Sequence, residues 1–191
     1  MDKDVVVLSK SDLIKQGITT KLESRKYLDK EFINYKISAL PMGQKRMLLT
    51  YLWMSGVRVT EAVNLVKNQI DFNKSMMTVK WLKSRKYKER VVPIHSRLLP
   101  LLQIYTSSFK AEAKVFPITR QRVYQITQEV LGCSPHQLRH SFAVNWLRGK
   151  GNIVVLHRIL GHARLQTTME YLKIVPMDQL EELEKINFWS T

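Results

Sequence analysis

Apolar residues recur along this chain at two periods, and the switch between them marks its elements. From Tyr27 to Leu40 the spacing of Leu28, Phe32, Tyr35 and Ile37 is helical, and it stops before Pro41-Met42-Gly43. Gln44 to Met54 puts Met47, Leu48, Tyr51 and Leu52 on one face, which predicts a core helix closed by Gly56. A further helix starts near Arg58 and runs to about Lys67. The period then falls to two. Met76 to Leu82 and Arg90 to Ile94 are rich in β-branched residues and predict a hairpin with a basic tip at 83–89. After Ser96 the helical period returns, at roughly 97–109, 119–131, 135–148, 153–160, 168–174 and 177–187. Ser134 with Pro135 behind it, and Asn152 with Gly161 at the far end, mark the starts and stops of two of these helices. Thr167-x-x-Glu170 predicts a capping box for the helix that carries Tyr171. The fold class is mainly α with a small antiparallel β-sheet (α+β), after a lead-in at residues 1–25.

At 191 residues with 45% apolar content, the chain has enough material for one domain with a real core. Its 31 basic residues against 16 acidic ones give a net charge of +15, which points to a polyanionic partner, nucleic acid first. The charge is concentrated. Lys80, Lys83, Arg85, Lys86, Lys88 and Arg90 crowd the hairpin against Glu89 alone, whereas Asp178, Glu181, Glu182 and Glu184 dominate the C-terminal stretch. The first block favours DNA phosphates and the second is repelled by them, so the tail is expected to meet protein. Cys133 is the only cysteine, which excludes an intrachain disulfide and suits a reducing, cytoplasmic setting. No apolar run approaches the ~20 residues of a membrane span, and the N-terminus lacks a signal peptide's apolar block.

The chemistry gathers in the last third. His136, Arg139 and His140 lie at i, i+3 and i+4 and so share one side of a helix, while Leu138, Phe142 and Trp146 on another side are expected to be buried. Such a polar side can be no more than the solvated face of a core helix. His136 falls in the first turn, where free amides and the helix dipole favour an anion. Cys133-x-x-His136-x-x-x-His140 also has zinc-like spacing, with His157 or His162 as a fourth ligand. Pro135 between the ligands and the fixed charge of Arg139 among them oppose that reading, so no metal is expected. His162 and Tyr171, nine residues apart, converge only if His162 lies in the turn after Gly161 and Tyr171 on the following helix. A phenol with a pKa near ~10 needs neighbours that stabilise negative charge before it can attack a phosphate. Arg58 and Arg139 are suited to that, since two guanidinium forks can hold both non-bridging oxygens. Glu61, one turn after Arg58, can orient it, or can be an ordinary surface i,i+3 pair.

Arg58 in Ser-Gly-Val-Arg-Val-Thr-Glu, the hairpin ending Glu89-Arg90-Val91-Val92-Pro93, His136-x-x-Arg139, Leu-Gly-His162 and Tyr171 resemble, in order, the tyrosine recombinases of the phage integrase family, and Xer-type enzymes in particular. The resemblance covers roughly residues 27–175. It implies the tyrosine recombinase catalytic-domain fold over 26–175 and a reaction without metal or cofactor. Tyr171 is then the nucleophile that forms a 3′-phosphotyrosine. Arg58, Arg139, His136 and His162 hold the phosphate, with His136 also a candidate proton acceptor. A hairpin lysine protonates the leaving 5′ oxygen. Lys83, paired with the small Ser84, fits the family's lysine, with Lys86 next to it in preference. Glu61 and His140 are supporting residues, and Arg85, Lys86, Lys88 and Arg90 grip phosphates.

Most relatives carry a separate helical DNA-binding domain ahead of the catalytic one; with some 25 residues before the family-like region, that clamp is expected to be missing here, either as in the family's short members or because the sequence is a piece of a longer protein. At residues 176–191, Leu180, Leu183, Ile186, Phe188 and Trp189 form an apolar stripe. It is expected either to fold back on its own domain or to dock on a neighbouring subunit of a DNA-bound homotetramer, as a C-terminal helix does in the family. Site-specific recombination of double-stranded DNA is the function so implied. Type IB topoisomerases and telomere resolvases share the chemistry, and a DNA-binding regulator of the same fold needs the charge but no nucleophile.

Overall fold

The computed structural model describes residues 27–83 and 86–175. In chain order their elements are α1 (Lys30–Ser38), α2 (Gln44–Ser55), α3 (Val59–Ala62), β1 (Ile70–Asp71), β2 (Met76–Lys83), β3 (Lys86–Pro93), α4 (Leu99–Tyr105), α5 (Arg120–Leu131), α6 (Pro135–Arg148), α7 (Ile153–Leu160) and α8 (Leu165–Met169). Short 3₁₀ turns lie at Lys67–Gln69 and Glu170–Lys173. The strands form one antiparallel sheet in the order β1-β2-β3. The predicted class, mainly α with a small antiparallel sheet, is the observed one. The lead-in at 1–25 and the helix expected at 177–187 lie outside the described residues.

Several boundaries differ from the predicted ones, each because tertiary hydrogen bonds claim the backbone. α1 starts later than Tyr27 because the Leu28 amide donates to Ser141 Oγ at 2.7 Å and its carbonyl accepts from Asn145 Nδ2 at 3.3 Å, both on α6. α3 stops at Ala62 rather than near Lys67 because a neighbouring segment takes over the chain there. Val115 donates to the Leu65 carbonyl at 2.9 Å, and Lys67 and Asn68 donate to Ala113 and Ala111 at 3.0 and 2.8 Å. β3 begins at Lys86, not Arg90, so most of the expected tip is ladder, with Lys80 opposite Glu89 and Lys83 opposite Lys86. Charged side chains do not end a strand whose outer face is solvated.

Two packed clusters hold these elements. The larger joins Leu48, Leu49 and Tyr51 of α2 to Ile33, Met77, Val79, Val92, Leu102, Phe116 and Leu138, with Tyr51 and Phe116 ring centroids 5.3 Å apart. The smaller gathers Ala143, Val144 and Leu147 of α6, Leu156 and Leu160 of α7, and Tyr171 and Val175. α6 belongs to both. Leu138 is buried as predicted, but Phe142 and Trp146 are half-buried because they flank both clusters. Gly56 ends α2 at φ 61°, and a Cβ there would lie 2.3 Å from the Phe142 ring, so only glycine permits this approach of α2 to α6.

Candidate active site

The close contact of α2 and α6 brings the chain after Gly56 against the buried side of α6. Arg139 is 5% exposed, and its Nη1 and Nη2 donate to the carbonyls of Gly56 and Leu160, each at 2.6 Å. Both carbonyls sit at helix C-terminal ends, where the dipole favours a cation. Burial and the neighbouring charge of Arg58 pull the Arg139 pKa down to about 9, which leaves it cationic at neutral pH. Arg58 occupies the N-cap position of α3, and its Nη2 donates to the Gly161 carbonyl at 3.1 Å. Gly161 closes α7 at φ 61°, the left-handed cap that the sequence predicts, and turns the chain toward His162.

Glu61 is the hub beneath Arg58. Its side chain is fully buried, and the carboxylate accepts from the Arg58 amide at 2.7 Å, Arg58 Nη1 at 3.0 Å, and Arg90 Nη1 and Nη2 at 2.8 and 2.9 Å. Burial alone would raise its pKa, but the Arg90 fork and then Arg58 outweigh burial and hold the carboxyl below its usual range. The expectation that Arg90 grips phosphates fails on this geometry. Its side chain is 9% exposed, its Nε donates to the Ile159 carbonyl at 2.8 Å, and its guanidinium lies 5.2 Å from the Trp81 ring centre. Strand alternation explains the inward aim, because Arg90 shares a sheet face with the buried Val92 and Val79. Lys88 is exposed and, with Lys80 and Arg58, lines a cleft that also holds His157 and His162.

Ser134 Oγ caps α6 by accepting from the Gln137 amide at 3.1 Å, with Pro135 following, so His136 sits in the first turn as expected. His136 lines a recess with Arg58 and Arg139, and burial, Arg139 and Arg58 all push its pKa down. Cys133 lies in the larger core, where burial pushes its thiol up to about 12, and among the described residues no group of three or more His, Cys, Asp or Glu is placed to hold a metal. His162 lies in the turn after Gly161, and Nδ1 pairs with Thr168 Oγ1 at 2.9 Å. Burial, then Arg139 and Arg58, lower its pKa to about 4, so it is neutral at pH 7.

Tyr171 comes into the same space from the 3₁₀ turn after α8. α8 starts at Leu165 rather than at a Thr167 capping box, because Glu170 is paired with Lys173 at 2.8 Å. The phenol is 6% exposed, its ring stacks with His162 at 6.5 Å between centroids, and its hydroxyl lies 2.8 Å from His140 Nδ1. Burial raises its pKa, with the Arg139 charge acting in the opposite sense. His140 Nε2 in turn lies 2.7 Å from His136 Nε2. Arg58, His136, Arg139, His140, His162 and Tyr171 therefore form one constellation. Lys83 and Lys86 are placed by backbone alone, facing each other at the end of the ladder, and Arg85 lies outside the described residues.

Residues 30–176 match the profile of the phage integrase family. The chain belongs to that family. It is 29% identical over 181 residues to a tyrosine recombinase XerA of Pyrococcus horikoshii, covering 87% of this chain and 63% of that protein. It is 30% identical over 162 residues to the integrase of Escherichia phage P2, covering 84% of this chain and 46% of the relative. The chain thus spans between about half and two thirds of the curated relatives it matches. Among solved folds, XerA recombinase superposes with a TM-score of 0.68 at 24% identity, over 83% of this chain and 62% of that one. The catalytic domain of bacteriophage HP1 integrase does so with 0.66 at 24% identity, over 84% and 94%. A XerH site-specific recombinase bound to its difH substrate gives 0.62 at 19% identity, over 85% and 53%.

Thr168, whose hydroxyl also lies 3.2 Å from His157 Nδ1, escaped the sequence reading, and so did the carbonyls that hold both arginines. No spacing marks a threonine whose partners sit on two earlier segments, and carbonyls carry no sequence signal. For Arg90, expected from the sequence to be among the phosphate-gripping residues, the overlooked signal is its alternation with the apolar Val92, which turns it inward.

Proposed function

We propose that this domain is the catalytic domain of a site-specific DNA recombinase that cuts and rejoins strands through a 3′-phosphotyrosine at Tyr171. The observation that carries this reading is the buried Tyr171 hydroxyl within 2.8 Å of a histidine, in a site shared with two arginines held by main-chain carbonyls. Arg139 uses two of its five N–H groups on those carbonyls, and the others suit a phosphate's non-bridging oxygens. Fixed guanidinium donors act where charge builds up in the transition state, and removing one costs on the order of 10²–10³ in rate. Neutral His162, with Nδ1 engaged by Thr168, has Nε2 left to serve as a hydrogen-bond donor to the same phosphate. Lys83 is the proposed acid that protonates the leaving 5′ oxygen. The phosphotyrosine keeps the energy of the phosphodiester, so religation needs no cofactor.

The partner is double-stranded DNA, consistent with the +15 charge and with the XerH complex noted above. The apolar stripe at 176–191 supports a homotetramer on DNA that exchanges C-terminal helices, and the domain limits 26–175 and 176–191 follow from that assignment. Among the described residues no helix is long and apolar enough to cross a membrane. A cytoplasmic location is part of the same reading, from the lone Cys133. The test is a pool of nicked suicide duplexes of randomised sequence, resolved on denaturing gels for protein-linked DNA. The parent chain is expected to form an adduct that Tyr171→Phe abolishes. An adduct that survives Tyr171→Phe, or none from the parent, defeats the assignment.

A further inference from the structure

The site holds three histidines near the nucleophile, and their contacts divide the work between them. His162 stacks on the Tyr171 ring, but its Nδ1 is bound to Thr168. His136, in the recess with Arg58 and Arg139, is one helical turn away from the residue that touches the phenol. Among the described residues the hydrogen-bond partner of the Tyr171 hydroxyl is His140, through Nδ1 at 2.8 Å. The other ring nitrogen of His140 meets His136 Nε2 at 2.7 Å, with the two rings at 84° and their centroids 4.2 Å apart. Two nitrogens at that distance need a proton between them, since two lone pairs would repel. Burial and two arginines disfavour charge on His136, so its resting form is neutral. With a neutral His140, the two imidazoles and the phenol have one proton for each of their two contacts. The order that leaves Tyr171 able to lose its proton runs from Oη–H to His140 Nδ1, and from His140 Nε2–H to His136 Nε2.

Resting on the phosphotyrosine reading above, we propose that His140 is a catalytic residue that takes the Tyr171 proton during attack and passes its own Nε2 proton to His136. As the Oη–P bond forms and the P–O5′ bond breaks, the phenolic proton moves to His140 Nδ1 and His140 stays neutral. The positive charge appears on His136, beside the bound phosphate rather than beside the nucleophile. The scissile phosphate supplies the negative charge that offsets Arg58 and Arg139 and so permits it. The leaving 5′ oxygen receives a separate proton from the hairpin lysine. Religation runs the same steps backwards, returning the proton to Oη as the tyrosine leaves. Among the described residues, the titratable and charged groups around this histidine cluster include Arg139 on α6, Arg58 ahead of α3, His157 on α7, His162 ahead of α8, and Tyr171 itself.

The test separates relay from positioning. Asparagine at 140 can place an amide oxygen where Nδ1 was, so it can hold the Tyr171 hydroxyl but cannot carry a proton onward. Single-turnover adduct formation on a nicked suicide duplex is followed from pH 6 to pH 10 for the parent, His140→Asn and His140→Ala, each checked for folding by thermal melting and for duplex affinity. Both variants are expected to bind DNA as the parent does and to cleave about 10²–10⁴-fold more slowly at neutral pH. The rate of His140→Asn should climb log-linearly toward the pKa of the phenol, where the parent has levelled off. Added imidazole should restore part of the rate to His140→Ala. A His140→Asn rate within threefold of the parent, with the parent's pH profile, would reduce His140 to a positioning residue and refute the relay. If the parent forms no adduct, it is the phosphotyrosine reading itself that fails. If the variants melt before binding, imidazole rescue of His140→Ala at lower temperature decides, and no rescue counts against the proposal.

Discussion

Arg90 shows how one side chain's direction changes its meaning. By charge and position it belongs with the phosphate-gripping residues of the hairpin, yet its fork closes on Glu61 and its Nε on the Ile159 carbonyl, so three of its five N–H groups are committed inside the protein. Arg90→Gln would leave a buried carboxylate short of its main partner, a loss of about 3–5 kcal/mol in urea unfolding. Exposed Lys88→Gln should stay within about 0.5 kcal/mol of the parent. Equal stabilities for the two variants would return Arg90 to the surface role that its charge suggests. Most of the constellation was legible at this scale. Arg58, His136, Arg139, His162 and Tyr171 were singled out by residue type and spacing, and the structure brings all five together. By sequence His140 is a supporting residue only, because spacing along α6 ties it to His136 but says nothing about a tyrosine 31 residues on.

At the scale of elements, capped helices were read closely and uncapped ones loosely. Ser134, Asn152 and the two left-handed glycines at 56 and 161 are local chemistry, and the ends they mark are the observed ones. The N-cap residues of α3 and α8, Arg58 and Arg164, bring no side-chain oxygen; contacts from far along the chain set where α3 ends, and the local Glu170–Lys173 pair sets where α8 begins. β1, two residues long, is too short to display a period. In the hairpin the ladder sets Lys83 directly opposite Lys86, so backbone register favours neither as the acid. Lys83→Ala is expected to cleave an ordinary phosphodiester about 10²–10⁴-fold more slowly and to recover on a 5′-bridging phosphorothioate, whose sulfur leaves without a proton. Lys86→Ala should show no such difference between the two substrates. Recovery confined to Lys86→Ala would transfer the acid's role to that residue.

For the molecule as a whole, the +15 charge translates into salt dependence. Each phosphate contact contributes about −0.9 to the slope of log K against log salt on duplex DNA. Lys80 and Lys88 are exposed in the cleft that Arg58 lines, so Lys80→Gln and Lys88→Gln should each flatten that slope by about one. Unchanged slopes would place the duplex elsewhere on the surface. Composition announced a polyanion and periodicity announced the fold class, but neither could announce that the interior is divided. Tyr171 packs in the smaller cluster, while the Glu61 hub lies beside the larger one, and α6 is the member they share. Perturbations more than about 7–10 Å apart with no common partner act additively. Phe142 and Trp146 pack against both clusters, so substitutions at Leu48, Leu102 or Phe116 share partners on α6 with the cluster that seats the nucleophile and are expected to couple to it. Truncating Leu156 or Leu160 would disturb the nucleophile's seating directly and, at fully buried positions, cost about 2–5 kcal/mol of stability as well.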